Sequence, residues 1–113
     1  MIPDGNNVCG QIEAPNGLEP IRAVLTRWLG DSGCSIYKSS YDGSEKIRLR
    51  TMGADFESTP LKDGCHLFNG SVEGNLGSVE TFIATLSSHL ASIGIEHSFE
   101  IYDNEGILAK TIP

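Results

Sequence analysis

The stretch GQIEAPNGLEPIRAVLTRWLG, residues 10–30, returns in altered form as GSVEGNLGSVETFIATLSSHLASIG, residues 70–94. Gly10, Ile12, Glu13 and Gly17 fall sixty positions before Gly70, Val72, Glu73 and Gly77. The offset then becomes 61, consistent with one inserted residue near Ser78. From there Leu18, Ile21, Ala23, Leu25, Leu29 and Gly33 correspond to Val79, Phe82, Ala84, Leu86, Leu90 and Gly94, and Tyr41-Asp42 to Tyr102-Asp103. The matched positions have the same structural task in both copies. Leu18, Ile21, Val24, Leu25, Trp28 and Leu29 recur with the helical period, as do Val79, Phe82, Ile83, Leu86, Leu90 and Ile93, so each copy predicts one amphipathic helix. Asn16, with Glu19 three residues on, and Ser78 are the expected N-caps, and Gly30 or Gly33 and Gly94 the expected stops.

Each helix is preceded by a strand-like run, VCGQIEA and HLFNGSVE, and followed by two more. The first following pair, CSIYKSSY and EKIRLRTM, is separated by Asp42-Gly43, a dipeptide suited to a tight hairpin. The second, IEHSFEIY and ILAKTI, flanks DNEG. A strand-helix-strand-strand unit therefore occurs twice, over about residues 7–52 and 65–112, with a linker at 53–64 and a mobile tail at 1–6. One unit alone cannot cover a sheet, so the expected fold is a single α+β domain spanning 1–113. It is a two-layer sandwich with both helices on one face of a mixed sheet, built from two pseudo-duplicated units. In element order it resembles the gyrase-inhibitor-like domains, which hold small molecules between such repeats; the chain is shorter than they are.

A two-residue hairpin turn sets Tyr37 opposite Arg48 and Ser35 opposite Arg50. Cys34, Ile36, Ile47 and Leu49 then face the core, and Tyr37, Tyr41, Lys46, Arg48 and Arg50 face outward. Three of the eight basic residues stand on one strand face beside two rings, in a chain with fifteen acidic residues and net charge −7. That row is the candidate ligand-binding site: rings can stack a flat group while guanidinium forks hold carboxylate or phosphate. A solvated strand face is the simpler account of it. The second hairpin shows Glu96, Glu100 and Tyr102 outward, and residues 61–113 carry a net −5 against −2 for the first sixty. The outer side of the second helix, with Thr81, Ala84, Ser88, Ala91 and Ser92, is nearly free of charge, which suits a partner or a second copy.

Catalytic chemistry has few carriers. Neighbours on a strand point to opposite faces, so His66 cannot activate Cys65, and His97 alternates with Ile95, Phe99 and Ile101 on the core side. No G-x-S-x-G, P-loop, H-E-x-x-H or dinucleotide fingerprint is present. Cys9, Cys34 and Cys65 lack metal or dithiol spacing. Neither a cofactor nor a metal is expected. Composition, 39% hydrophobic and 20% charged, is that of a globular chain, and the acidic balance disfavours nucleic acid. No apolar run approaches the ~20 residues of a membrane span, and the start MIPDGNNVCG lacks the features of an export signal. The expectation is a non-enzymatic, cytoplasmic binding or protein-interaction module that can self-associate. The alternatives are a domain for a small molecule or anion, held in the cleft between repeats or on the basic-aromatic face, and an immunity-type inhibitor of a basic toxin or nuclease. The last requires Glu73, Glu96 and Glu100 in one exposed patch.

Overall fold

The computed structural model describes residues 6–62 and 64–113; of the expected tail, all but Asn6 lies outside the described residues. The elements, in order, are β1 (Val8–Glu13), α1 (Glu19–Leu29), β2 (Cys34–Lys38), β3 (Glu45–Thr51), β4 (Ala54–Lys62), β5 (Cys65–Val72), α2 (Leu76–Ser92), β6 (His97–Tyr102) and β7 (Leu108–Ile112). The fold is α+β, and the strands form one seven-stranded sheet in the order β2-β3-β4-β5-β1-β6-β7.

Two expectations are corrected by this order. The stretch 53–64, read as a linker, contains β4, which pairs with both β3 and β5. The sheet is not mixed, since every pairing is antiparallel. The physical reason is the same for both. Each helix does connect two strands that run the same way, but other strands fill the gap between them: β1 lies between β5 and β6, and β5, β4 and β3 lie between β1 and β2. The hairpin β6–β7 stands directly beside β1, whereas β2–β3 is displaced outward by the width of β4.

Helix ends follow local chemistry, and at the N-termini the residues differ from those expected. Asn75, not Ser78, caps α2: its Oδ1 accepts from the Ser78 N–H at 2.8 Å. Gly94, at φ +73°, ends it as expected, with its own N–H on the Ala91 carbonyl and the Ile95 N–H reaching back to Leu90. α1 starts late. Leu18 occupies the cap position without a side-chain acceptor, Pro20 holds the first turn, and Asn16 takes no part.

The periodic stripes do what their spacing predicts. Ile21, Val24 and Leu25 of α1 and Val79, Ile83, Leu86 and Leu90 of α2 are buried in one cluster with the inward residues of the sheet. Trp28 ties the helices together, its ring 5.2 Å from Phe82 and 4.9 Å from His89. Inward Ser58 is fully buried, and its Oγ accepts the Ile47 N–H at 2.8 Å, so a polar side chain in the core is satisfied by the neighbouring strand.

At the middle of the sheet two glycines are seats for rings. Gly10 on β1 is paired with Phe99, and Gly70 on β5 with Phe56. A Cβ on Gly10 would lie 2.5 Å from the Phe99 ring and 2.7 Å from the Phe68 carbonyl oxygen; on Gly70 it would lie 2.4 Å from both the Phe56 ring and the Asp55 carbonyl oxygen. Because backbone stands in the way as well as a ring, neither site relaxes by turning a side chain. Gly10→Ala and Gly70→Ala are each expected to cost about 1–3 kcal/mol in urea unfolding, the range of overpacked cores. Gly77→Ala on the first turn of α2, where an added Cβ meets only Asn75 Oδ1 at 3.4 Å, is the comparison that is expected not to destabilise.

Candidate functional site on the outward side of the sheet

Strand alternation sends a second set of side chains away from the core cluster, and these form the candidate site. Among the predicted residues, Tyr37, Lys46, Arg48 and Arg50 are brought together there. The hairpin register differs from the expected one: Ser35 pairs with Arg48, Tyr37 with Lys46 and Lys38 with Glu45. A shift of two residues keeps every side chain on its expected face, so the outward row survives although its partners change. The cause is a longer loop. Asp42 Oδ1 accepts from both the N–H and the hydroxyl of Ser44, which closes a local turn instead of the two-residue hairpin. Those bonds hold the Asp42 carboxyl below its usual range. Tyr41 is thereby placed at the loop tip, 97% exposed and apart from the row; its assignment to the sheet face is corrected.

β4 then changes the chemistry of the row. It contributes Asp55 and Glu57, the carboxylates that sequence reading left in a linker. The Arg48 guanidinium donates to Asp55 through Nε at 3.2 Å and Nη2 at 3.1 Å and lies 3.8 Å from Glu57. Arg50 Nε is 3.6 Å from Asp55, and the Tyr37 hydroxyl donates to Glu57 Oε2 at 2.5 Å. Arg48 and Arg50 therefore face carboxylates on their own sheet, which weakens them as a trap for a free anion. Hydrogen bonding to Asp55 raises the Arg48 pKa further. These groups are a quarter to two-thirds exposed, so each pair contributes less than about 1 kcal/mol. Their effect is to fix side-chain direction.

The middle of the outward side is uncharged. Gln11 Nε2 donates to Cys65 Sγ at 3.0 Å, and Asn69 Oδ1 accepts the Gly10 N–H at 3.0 Å. Small residues over β1 and β6 leave a hollow of about 420 Å³ among Cys9, Gln11, Asn69, Ser98 and Glu100. A second, of about 220 Å³, adjoins it at Gln11, Glu13 and Glu96. Glu13, Glu96 and Glu100 border these hollows, and Glu73 does not. The Glu13 N–H is bonded to the Glu96 carbonyl, while Glu73 follows the far end of β5, where its N–H reaches Gly53. Glu73 is a strand length from Glu96, so the three-glutamate patch is not assembled.

The residues considered for catalysis do not converge. Cys65 is buried beside Gln11 on the outward side. His66, opposite Ile12, points the other way; its Nδ1 is buried without a partner, and burial lowers its pKa. His89 stacks on Trp28. His97 Nδ1 meets the Ile95 carbonyl at 2.8 Å, so its Nε2 accepts from Ser87 Oγ at 2.6 Å. Sequence reading also missed the Ser87 contact, which only the nearness of α2 to β6 could have disclosed. It stands mid-helix, where neighbouring N–H groups belong to the helix ladder, so the pair acts as a clasp between α2 and β6.

A cavity of about 720 Å³ opens between the Ala14–Leu18 loop, the β2–β3 hairpin and the β4–β5 turn, with Lys38, Lys62, Glu45 and His66 on its walls. Both halves of the chain contribute to it. Among the described residues no group of three or more His, Cys, Asp or Glu is placed to hold a metal ion, and no helix is long and apolar enough to cross a membrane.

The Tyr37–Glu57 bond has a titration signature. The hydrogen bond to Glu57 raises the Tyr37 pKa above 10.0. The folded state is thus favoured while the phenol keeps its proton, and this contribution is lost as pH rises through the raised value. NMR titration of labelled tyrosines should show Tyr37 ionising above 10.0, and Glu57→Gln should return it towards that value. A Tyr37 titration that Glu57→Gln leaves unchanged would mean that the bond does not form in solution.

No protein-family model matches the chain, no curated protein matches its sequence, and no solved structure matches it.

Proposed function

We propose that the protein is a non-catalytic interaction module whose recognition surface is the outward side of its sheet. The fold reading beneath this proposal is a two-layer one, with α1 and α2 on one face and the other face left for a partner. It also retains two related strand-helix-strand-strand units, supported by Gly10 and Gly70 seating a phenylalanine from the strand beside each. The observation that carries the proposal is the distribution of charge on the outward side. The middle, around Gln11, Leu67 and Asn69, carries no formal charge, and the ionic groups lie to either side of it. Interfaces have that anatomy, with charge depleted at the centre and polar groups at the rim. A solvated face has no reason to segregate its charges so. Three free cysteines and the absence of metal spacing support a cytoplasmic setting.

A photo-crosslinking residue placed at Gln11 is expected to yield protein adducts in the cells that make the chain, and one placed at Ser88, on the outer side of α2, is expected to yield none. Adducts from Ser88 alone would move recognition to the helices and overturn the proposal.

A second reading, the binding of a small molecule, is favoured by the 720 Å³ cavity, whose size falls in the range of ligand pockets. Native mass spectrometry of protein purified without added ligand is expected, on this reading, to show a retained mass that Lys38→Ala/Lys62→Ala releases. Bare protein in every preparation would retire it.

A further inference from the structure

We propose that the partner of the outward sheet face is a second copy of this chain, docked face to face about a two-fold axis running along β5. This inference rests on the interaction-module reading and names its partner.

The geometry begins with the strand order. β5 is the middle strand of seven, so a two-fold axis along it lays β3 of one copy over β6 of the other, β4 over β1, and β2 over β7. The registers then determine which side chains meet. Arg48 is paired with Glu57, Glu57 with Asn69, and Cys9 with Glu100, while Val8 pairs with Gly70 and Gln11 with Leu67, so Asn69 falls level with Cys9. Arg48 and Glu100 therefore stand on one line across the sheet, two strands to either side of the axis. The rotation carries each onto the other in the second copy.

The remaining positions agree. Lys46 falls over Ser98, Arg50 over Tyr102, Glu57 over Cys9 and Glu13 over Lys62, and Leu67 and Asn69 meet their own images at the axis. No acid is laid over an acid and no base over a base. Shape follows charge. The hollow of about 420 Å³ lies over β1 and β6, where Cys9 and Ser98 are small, and it faces the long side chains of β3 and β4 across the axis. Packed sheets cross at roughly −30°, which shifts such rows by a residue or two at this distance from the axis. Because Lys46, Arg48 and Arg50 are consecutive outward residues, a cation still meets Glu100 after that shift. Seven strands about 4.8 Å apart and about 20 Å long offer roughly 600 Å² per copy, or about 1,200 Å² in all. That exceeds the roughly 1,000 Å² at which specific association begins.

Sedimentation equilibrium at high micromolar concentration and low salt is the test. The unaltered protein is expected to be dimeric and to dissociate as salt is raised. Leu67→Asp, which sets two carboxylates against each other at the axis, and Glu100→Arg, which faces the β3 cations, are each expected to weaken the dimer by about tenfold or more. Leu67→Met and Ser88→Asp are expected to leave it intact. Each variant's melting temperature, read where all are monomeric, shows that folding is retained. A monomer at every concentration, or a dimer that Leu67→Asp and Glu100→Arg leave unchanged, overturns the inference. If the protein is monomeric while the Gln11 crosslinker captures a different protein, self-pairing fails and the interaction module stands. If Ser88→Asp alone dissociates a dimer, both fail.

Discussion

Two phenylalanine rings lying across two glycines hold the middle of this sheet in register. With Gly10 under Phe99 and Gly70 under Phe56, the four strands β4, β5, β1 and β6 are pinned to one another, and the rings become the floor on which the helices rest. Phe56 is 5.3 Å from Phe68 and 6.4 Å from Phe82 of α2, and Phe82 is in contact with Trp28 of α1. A slip of one residue would remove the seats and reverse every strand's faces, sending Arg48 inward and Leu49 out. The composition of the outward side is therefore a consequence of how the inward side packs.

This dependence explains what could be read from the chain and what could not. The helices were legible because burial of Ile21, Leu25, Ile83 and Leu86 needs a stripe, and a stripe leaves a period in the sequence. The outward placement of Lys46, Arg48 and Arg50 was legible because parity withstands a two-residue error in register. β4 was not. In ADFESTPLK only Ala54 and Phe56 are apolar inward residues; the third inward position is Ser58, tolerated because its hydroxyl takes the Ile47 N–H, and Pro60 marks the place where pairing with β5 becomes irregular. A strand whose inward residue is polar and whose end carries proline resembles a loop by every local criterion. Tertiary pairing on both edges makes it a strand.

Missing β4 also meant missing the chemistry of the candidate site. Read without its neighbour, the β3 row is a cluster of positive charge beside a ring. With β4 in place, Asp55 and Glu57 direct Arg48 and Tyr37, and the row becomes part of an ionic mesh. The signal that could have found this is the alternation Asp55, Glu57, Thr59 on one face against Ala54, Phe56, Ser58 on the other, a period of two in which only Phe56 and Thr59 are strong strand formers.

The same topology accounts for the polarity of the outward side. Inserting β4 beside β3 brings carboxylates to the first half's cations, while the hairpin β6–β7 stands directly against β1 and acquires no such strand. Glu13, Glu96 and Glu100 are consequently gathered at one side and the mesh at the other, with the neutral residues of β5 between them. Arg48 on β3 and Glu100 on β6 stand two strands to either side of β5, too far apart to pair within one chain. That separation gives the face a positive and a negative side, and a surface of that kind can be complementary to itself.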